Sequence, residues 1–200
     1  MEKFKIWLKK NWSTVFLVGI FILLLVSPDT KAWLMRQIIS TGLLNSKIEK
    51  KNIGKPVEEM TPSISESFSV KDENGKIINV SELKGKVVFI NFWASWCPPC
   101  RAEFPSLQKF YEKYRSKNEL VILTVNLDED LDAGKMYLGK EKFTVPFLVP
   151  DGNIPKEYLS GSLPTTVVSD NTGKIRMKHD GMADYSKDSF YKQINQLIEE

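Results

Sequence analysis

Two cysteines and one histidine are all the thiols and imidazoles that 200 residues offer, and this scarcity excludes several chemistries at once. A closed structural zinc site needs four ligands, and Cys97, Cys100 and His179 make three. A haem attachment motif needs a histidine directly after the second cysteine, where Arg101 stands. Charge of one sign is also scarce. With 28 Lys and Arg against 25 Asp and Glu the formal net charge is +3, and much of the basic excess lies in the N-terminal quarter, so there is no footprint for nucleic acid. Long apolar runs are few. Trp12 to Val26 is broken only by Ser13, Thr14 and Gly19, yet at ~1.5 Å per residue it covers ~23 Å of a ~30 Å bilayer core. No internal repeat is present. The remainder, 42% hydrophobic and 26% charged, is globular composition sufficient for one ordinary domain with appendages.

What is present centres on the two cysteines. Val87-Val88-Phe89-Ile90-Asn91-Phe92-Trp93 is a β-branched and aromatic run that reads as a buried strand. It passes through Ala94-Ser95-Trp96 into Cys97-Pro98-Pro99-Cys100, and the apolar positions Phe104, Leu107, Tyr111 and Tyr114 then follow at helical spacing. A thiol at a helix start lies near unpaired N–H groups and the positive end of the helix dipole, which favour its thiolate. Cys97 is therefore the expected nucleophile. Cys100 is close enough to attack a mixed disulfide at Cys97 and close a small ring. Pro98 and Pro99 suit the first helical turn, where a missing N–H costs little.

Trp-Cys-Pro-Pro-Cys followed by Arg-x-Glu-Phe-Pro, after Phe-Trp-Ala-Ser, resembles the membrane-anchored thioredoxin-like disulfide reductases, the group of TlpA, ResA and the cytochrome c maturation thioredoxins. The resemblance spans roughly residues 68 to 198. It implies a thioredoxin-like α/β fold, a central mixed sheet with flanking helices, and a dithiol that reduces client disulfides without a cofactor. It further implies a cis bond before Pro164, set against the Cys-x-x-Cys turn, and a client surface formed by Trp96, Pro98, Leu163 and Pro164. The partners it implies are client proteins bearing disulfides, with apocytochrome c among them, and an upstream thiol-disulfide donor in the membrane. Glu103, one helical turn after Cys100, has two readings: an exposed helix carboxylate, or a proton acceptor for Cys100. Smaller thioredoxins carry a buried aspartate six positions before the first cysteine. Asn91 stands there, cannot shuttle a proton, and leaves Glu103 as the candidate. Pro105 matches the proline that kinks the corresponding helix. Trp93 reads as core, Trp96 as exposed client surface, and His179 as a solvated strand-end residue.

Around this centre, Phe68 to Val70 and Ile77 to Val80 flank an Asn-Gly turn and predict a hairpin. Leu120 to Asn126 predicts a second buried strand, parallel and adjacent to the first. A polar helical segment should run from Asp128 through about Lys142, with a short strand at Val145 to Val149 and a helical turn at Ile154 to Leu159. Strands should follow at Leu163 to Val168 and Lys174 to His179, and a last helix from about Tyr185 to Ile198 with Phe190, Ile194, Leu197 and Ile198 inward.

The apolar run follows Lys3, Lys5, Lys9 and Lys10, and only Ser27-Pro28-Asp29-Thr30 comes after it, with no Ala-x-Ala cleavage site. That pattern favours an uncleaved signal anchor over a cleaved signal peptide or a buried helix, with the lysines cytoplasmic by the positive-inside rule. The expected division is a cytoplasmic segment at 1–11, a transmembrane anchor at 12–27, a juxtamembrane segment and linker at 28–61, and the folded domain at 62–200, outside the bacterial cytoplasmic membrane on the periplasmic side. The stripe of Trp33, Leu34, Ile38, Ile39, Leu43 and Leu44 can lie on the membrane surface or pack on the domain. Two other functions remain open. A peroxidase of the peroxiredoxin type would place Pro at 90 and Thr at 94, where Ile90 and Ala94 stand. A copper-binding module would pair the cysteines with His179.

Overall fold

The computed structural model describes residues 11–26, 28–40 and 68–200. The basic N-terminal segment up to residue 10, Ser27 and residues 41–67 lie outside the described residues, and with them most of the juxtamembrane segment and linker expected at 28–61 and its boundary with the domain. Seven strands form one mixed sheet in the order β2-β1-β5-β4-β3-β6-β7: β1 (Ser69–Asp72), β2 (Ile77–Asn79), β3 (Val87–Trp93), β4 (Leu120–Asn126), β5 (Leu148–Asp151), β6 (Thr165–Ser169) and β7 (Ile175–Asp180). The helices are α1 (Trp12–Val26), α2 (Pro28–Ser40), α3 (Pro98–Tyr114), α4 (Leu131–Glu141) and α5 (Asp188–Glu199), with a 3-10 turn at Val80–Leu83.

The central strand β3 is buried along its whole length, which is why it reads as a continuous apolar run rather than an alternating one. It pairs in parallel with β4 from Val87↔Leu120 to Trp93↔Asn126, as the sequence predicts, and antiparallel with β6. Alternation divides its side chains between two cores. Val87, Phe89 and Trp93 meet Phe104, Leu107 and Phe110 of α3, Tyr137 and Leu138 of α4, and Phe190, Ile194 and Leu197 of α5. Val88, Ile90 and Phe92 face Phe68, Val70, Val80 and Tyr158. Trp93 and Phe104 meet edge to face with ring centroids 4.6 Å apart, so truncating either to alanine would cost about 3–5 kcal/mol.

The β1–β2 hairpin turns through Gly75 at φ 79°, a left-handed conformation that suits glycine, while Asp72 Oδ1 accepts the Asn74 and Lys76 amides. Several boundaries differ from expectation, β6 among them, which begins at Thr165 rather than Leu163, and three have a visible cause. β5 begins at Leu148 rather than Val145, because the preceding residues are held by side chains: Gln108 accepts the Thr144 amide and donates to the Thr144 hydroxyl, and Thr124 donates to the Pro146 carbonyl. Helix α4 starts at Leu131 with Asp130 as its cap, so Asp128 lies outside it. Helix α5 starts at Asp188 rather than Tyr185, because Asp184 captures the Ser186 amide in a local turn and Tyr185 turns inward to full burial.

Pro105 sits inside α3 and has no N–H to give the Arg101 carbonyl. That carbonyl instead accepts Arg36 of α2 at 2.8 Å and the Tyr137 hydroxyl of α4 at 3.3 Å. The Arg101 guanidinium pairs with Asp29, which also meets Lys140 at 3.2 Å, and lies 4.5 Å from the Tyr137 ring centroid. Helix α2 thus packs on α3. Trp33 and Leu34 point outward, so Ala32, Asp29 and Arg36 form the docked side, and the side chains of Ile38, Ile39, Leu43 and Leu44 lie outside the described residues. Helix α1 exposes Trp12, Val15, Phe16, Leu17 and Phe21. Among the described residues no helix is long and apolar enough to cross a membrane by itself.

Candidate active site

Strand β3 ends at Trp93, a four-residue turn follows, and α3 begins at Pro98 with Cys97 as its N-cap. Cys97 and Cys100 form a disulfide with Cα atoms 5.3 Å apart. Because Pro98 and Pro99 carry no N–H, the first free donor of the helix is the Cys100 amide, and it points at Cys97 Sγ at 3.2 Å. The same N–H and the helix dipole would stabilise a Cys97 thiolate. Both cysteines are almost wholly enclosed, while the neighbouring Trp96 is 63% exposed.

Glu103 is 1% exposed, which removes the reading of a solvated helix carboxylate. Its Oε1 accepts Asn91 Nδ2 at 2.8 Å, and its Oε2 accepts the Ala183 amide at 3.1 Å and the Tyr185 hydroxyl at 3.3 Å. The Tyr185 oxygen lies 2.6 Å from Thr166 Oγ1, which also accepts Asn91 Nδ2 at 3.0 Å. Burial pushes the Glu103 carboxyl up to about 8, against the pull of these three donors. Burial and the adjacent Glu103 push the Tyr185 phenol well above its usual value. Asn91 therefore holds the acid in place.

The Leu163–Pro164 peptide is cis. Phe92 pairs with Thr165 across β3 and β6, so Pro164 comes level with the end of β3 on the same rim of the sheet as the cysteines. Leu163 packs against the core cluster that contains Cys97 and Cys100. The rim thus brings Cys97, Cys100, Trp96, Pro98, Leu163 and Pro164 together, with Glu103 beneath. His179 lies at the end of β7, next to its last residue. It is half-buried, with Nε2 3.3 Å from the Met182 carbonyl. Among the described residues no three His, Cys, Asp or Glu side chains come together in a way that could hold a metal ion. Thr166 and Tyr185 are site residues that sequence reasoning misses. Each joins the site from a distant strand or loop, and a Tyr or Thr without a local pattern carries no signal of its own.

The AhpC/TSA family matches residues 63–178. Among similar proteins, the thiol-disulfide oxidoreductase ResA of Bacillus cereus is 36% identical over 128 residues, 64% of this chain and 69% of that one. The thioredoxin-like protein YneN of Bacillus subtilis (strain 168) is 31% identical over 175 residues, covering 86% and 91% of the two chains. Of solved structures, StoA from Bacillus subtilis superposes with a TM-score of 0.54 at 27% identity, over 68% of this chain and 98% of that one. The pneumococcal exposed lipoprotein thioredoxin Etrx1 from Streptococcus pneumoniae strain TIGR4 gives 0.54 at 28% identity, covering 65% and 98%.

Proposed function

We propose, from the premise that this chain belongs to the AhpC/TSA family and is a thiol-disulfide oxidoreductase of the ResA/TlpA type, that it is a membrane-tethered reductase of client-protein disulfides working outside the cytoplasm. The observation that carries the dithiol chemistry is the pairing of an N-capping thiol with a buried acid one turn behind its partner, and the reducing direction is taken from the resemblance to disulfide reductases. In the reducing cycle the Cys97 thiolate attacks a client disulfide, a mixed disulfide forms, and the client's other sulfur leaves as a thiolate and takes a proton. Cys100 then gives up its proton and attacks Cys97 Sγ. The second client sulfur departs, the internal disulfide closes, and two electrons have passed to the client. Glu103 enters this step as the carboxylate, takes the Cys100 proton and keeps it: a carboxyl at about 8 is mostly protonated at neutral pH in the disulfide form, and returns the proton to Cys100 when an upstream dithiol reopens the ring.

Support for the tether is the uncovered apolar helix α1 following four lysines. A span this short is accommodated by local bilayer thinning and snorkelling lysines. Apocytochrome c is the client class that the resemblance implies, and a membrane thiol-disulfide protein the donor. Two measurements test the proposal. A Cys100→Ser variant purified from its host should carry client and donor proteins disulfide-linked through Cys97; recovery of no such adduct would overturn the reductase role. Membrane-impermeant maleimide should label Cys97 in reduced intact cells or spheroplasts, and labelling only after lysis would overturn the orientation.

A further inference from the structure

The turn between β3 and α3 presents Trp96 and Cys97, and its backbone lies beyond the ladder that satisfies β3. Buried main-chain groups need partners, and here they are held from both sides. Cys97 N–H closes the turn on the Ala94 carbonyl at 3.2 Å. The Ser95 N–H donates to both carboxylate oxygens of Asp128, at 3.0 and 3.1 Å. The Ser95 carbonyl accepts Arg101 Nη1 at 3.5 Å. Ser95 is therefore gripped by an acid at its N–H and a base at its carbonyl oxygen.

Asp128 is itself fixed. It is 7% exposed; Asn126 Nδ2 donates to its Oδ2 at 2.8 Å, and its own amide donates back to Asn126 Oδ1 at 3.2 Å. The Leu127 amide continues the ladder onto the Trp93 carbonyl at 2.8 Å. Across from this pair stands Gly134 of α4, where an added Cβ would lie 2.8 Å from Asn126 Nδ2 and 2.9 Å from Asp128 Oδ2. A carboxylate accepts an N–H more strongly than a neutral group would, and the burial of Asp128 shields that bond from competing water.

We infer that Asp128 is a positioning residue: its carboxylate holds the Ser95 backbone, and so sets the orientation in which Trp96 and Cys97 meet a protein client. This rests on the oxidoreductase reading and deepens it. A small disulfide needs only the Cys97 thiolate, whereas a folded or extended protein client must also fit the backbone around it, so losing the clamp separates the two reactions.

The test uses the full chain, reduced, at a temperature well below each variant's melting point. Asp128→Ala should lower kcat/KM for reduction of insulin disulfides at least ten-fold while changing the rate with 2-hydroxyethyl disulfide less than three-fold. Asp128→Asn, which keeps one acceptor for the Ser95 N–H, should recover most of the insulin rate. Exchange of the Ser95 amide, followed by NMR, should accelerate at least ten-fold in Asp128→Ala and less in Asp128→Asn. Equal losses with both substrates, or unchanged Ser95 exchange in both variants, would overturn the inference, and the Asn variant decides it if the Ala variant does not fold. Failure of the reductase proposal is separately visible, because the Cys100→Ser variant would then trap no client while Ser95 exchange still reports the clamp.

Discussion

Glu103→Gln isolates the energetic consequence of burying an acid beside the dithiol. An isolated carboxyl titrates near 4.5, and in the folded protein burial raises Glu103 to about 8. At about 1.4 kcal/mol per pH unit the gap corresponds to about 5 kcal/mol of stability. The sign follows from proton counting. Below pH 4.5 the carboxyl is neutral in folded and unfolded chains alike, and burial carries no ionic penalty. Between 4.5 and 8 the folded state retains a proton that the unfolded state has lost, so stability falls as pH rises. Above 8 both are ionised and the whole amount has been lost. Glutamine has the same shape and no charge. Its oxygen can accept from Ala183 and Tyr185, and its NH2 finds an acceptor if the Asn91 amide turns, since Asn91 Oδ1 has no hydrogen-bond partner among the described residues. Urea denaturation of the oxidised wild type and Glu103→Gln across pH 4.5 to 9 should therefore show the variant gaining on the wild type by up to about 5 kcal/mol, with groups common to both cancelling. Parallel curves would refute the idea that Glu103 stores a proton in the disulfide form. In parallel, collapse of a small mixed disulfide at Cys97 should slow by roughly 10²–10⁴-fold in Glu103→Gln if the carboxylate is the general base, and an unchanged rate and pH profile would remove it from that role.

Two further outcomes follow from the same geometry. In the reduced protein iodoacetamide at neutral pH should modify Cys97 faster than Cys100, because only Cys97 caps the helix and receives the Cys100 N–H; peptide mapping showing equal or inverted rates would contradict the assignment of nucleophile and resolving thiol. Gly134→Ala should destabilise the fold by about 1–3 kcal/mol, since the new methyl meets Asn126, Asp128 and Phe147 at under 3 Å, and a melting temperature unchanged from wild type would show that α4 can move away from the clamp at no cost.

The sequence alone determined what local chemistry dictates. Burial on both faces leaves β3 no polar positions except Asn91, so the strand could be read directly, and β4 reads as its neighbour because it is apolar except at Thr124 and Asn126. The Cys-Pro-Pro-Cys start of α3 carries its own mechanism, because prolines without N–H groups leave one donor aimed at Cys97. The Asn-Gly turn of the first hairpin is equally local. The tertiary structure decided everything that depends on residues meeting across long stretches of chain. Asn91, Glu103, Thr166 and Tyr185 come from β3, α3, β6 and a loop before α5, and no spacing in the sequence reveals that they share one buried network. The apolar pattern predicts a strand at Val145 and a helix at Tyr185, and neither forms there. At both places side chains take the backbone groups that regular structure would have used, Gln108 from across the chain and Asp184 from next door. Whether α2 docks on the domain is likewise undecided by its own stripe of residues. Pro105 announces that one carbonyl of α3 loses its helical partner, but that Arg36 and Tyr137 fill the place is a property of the assembled fold.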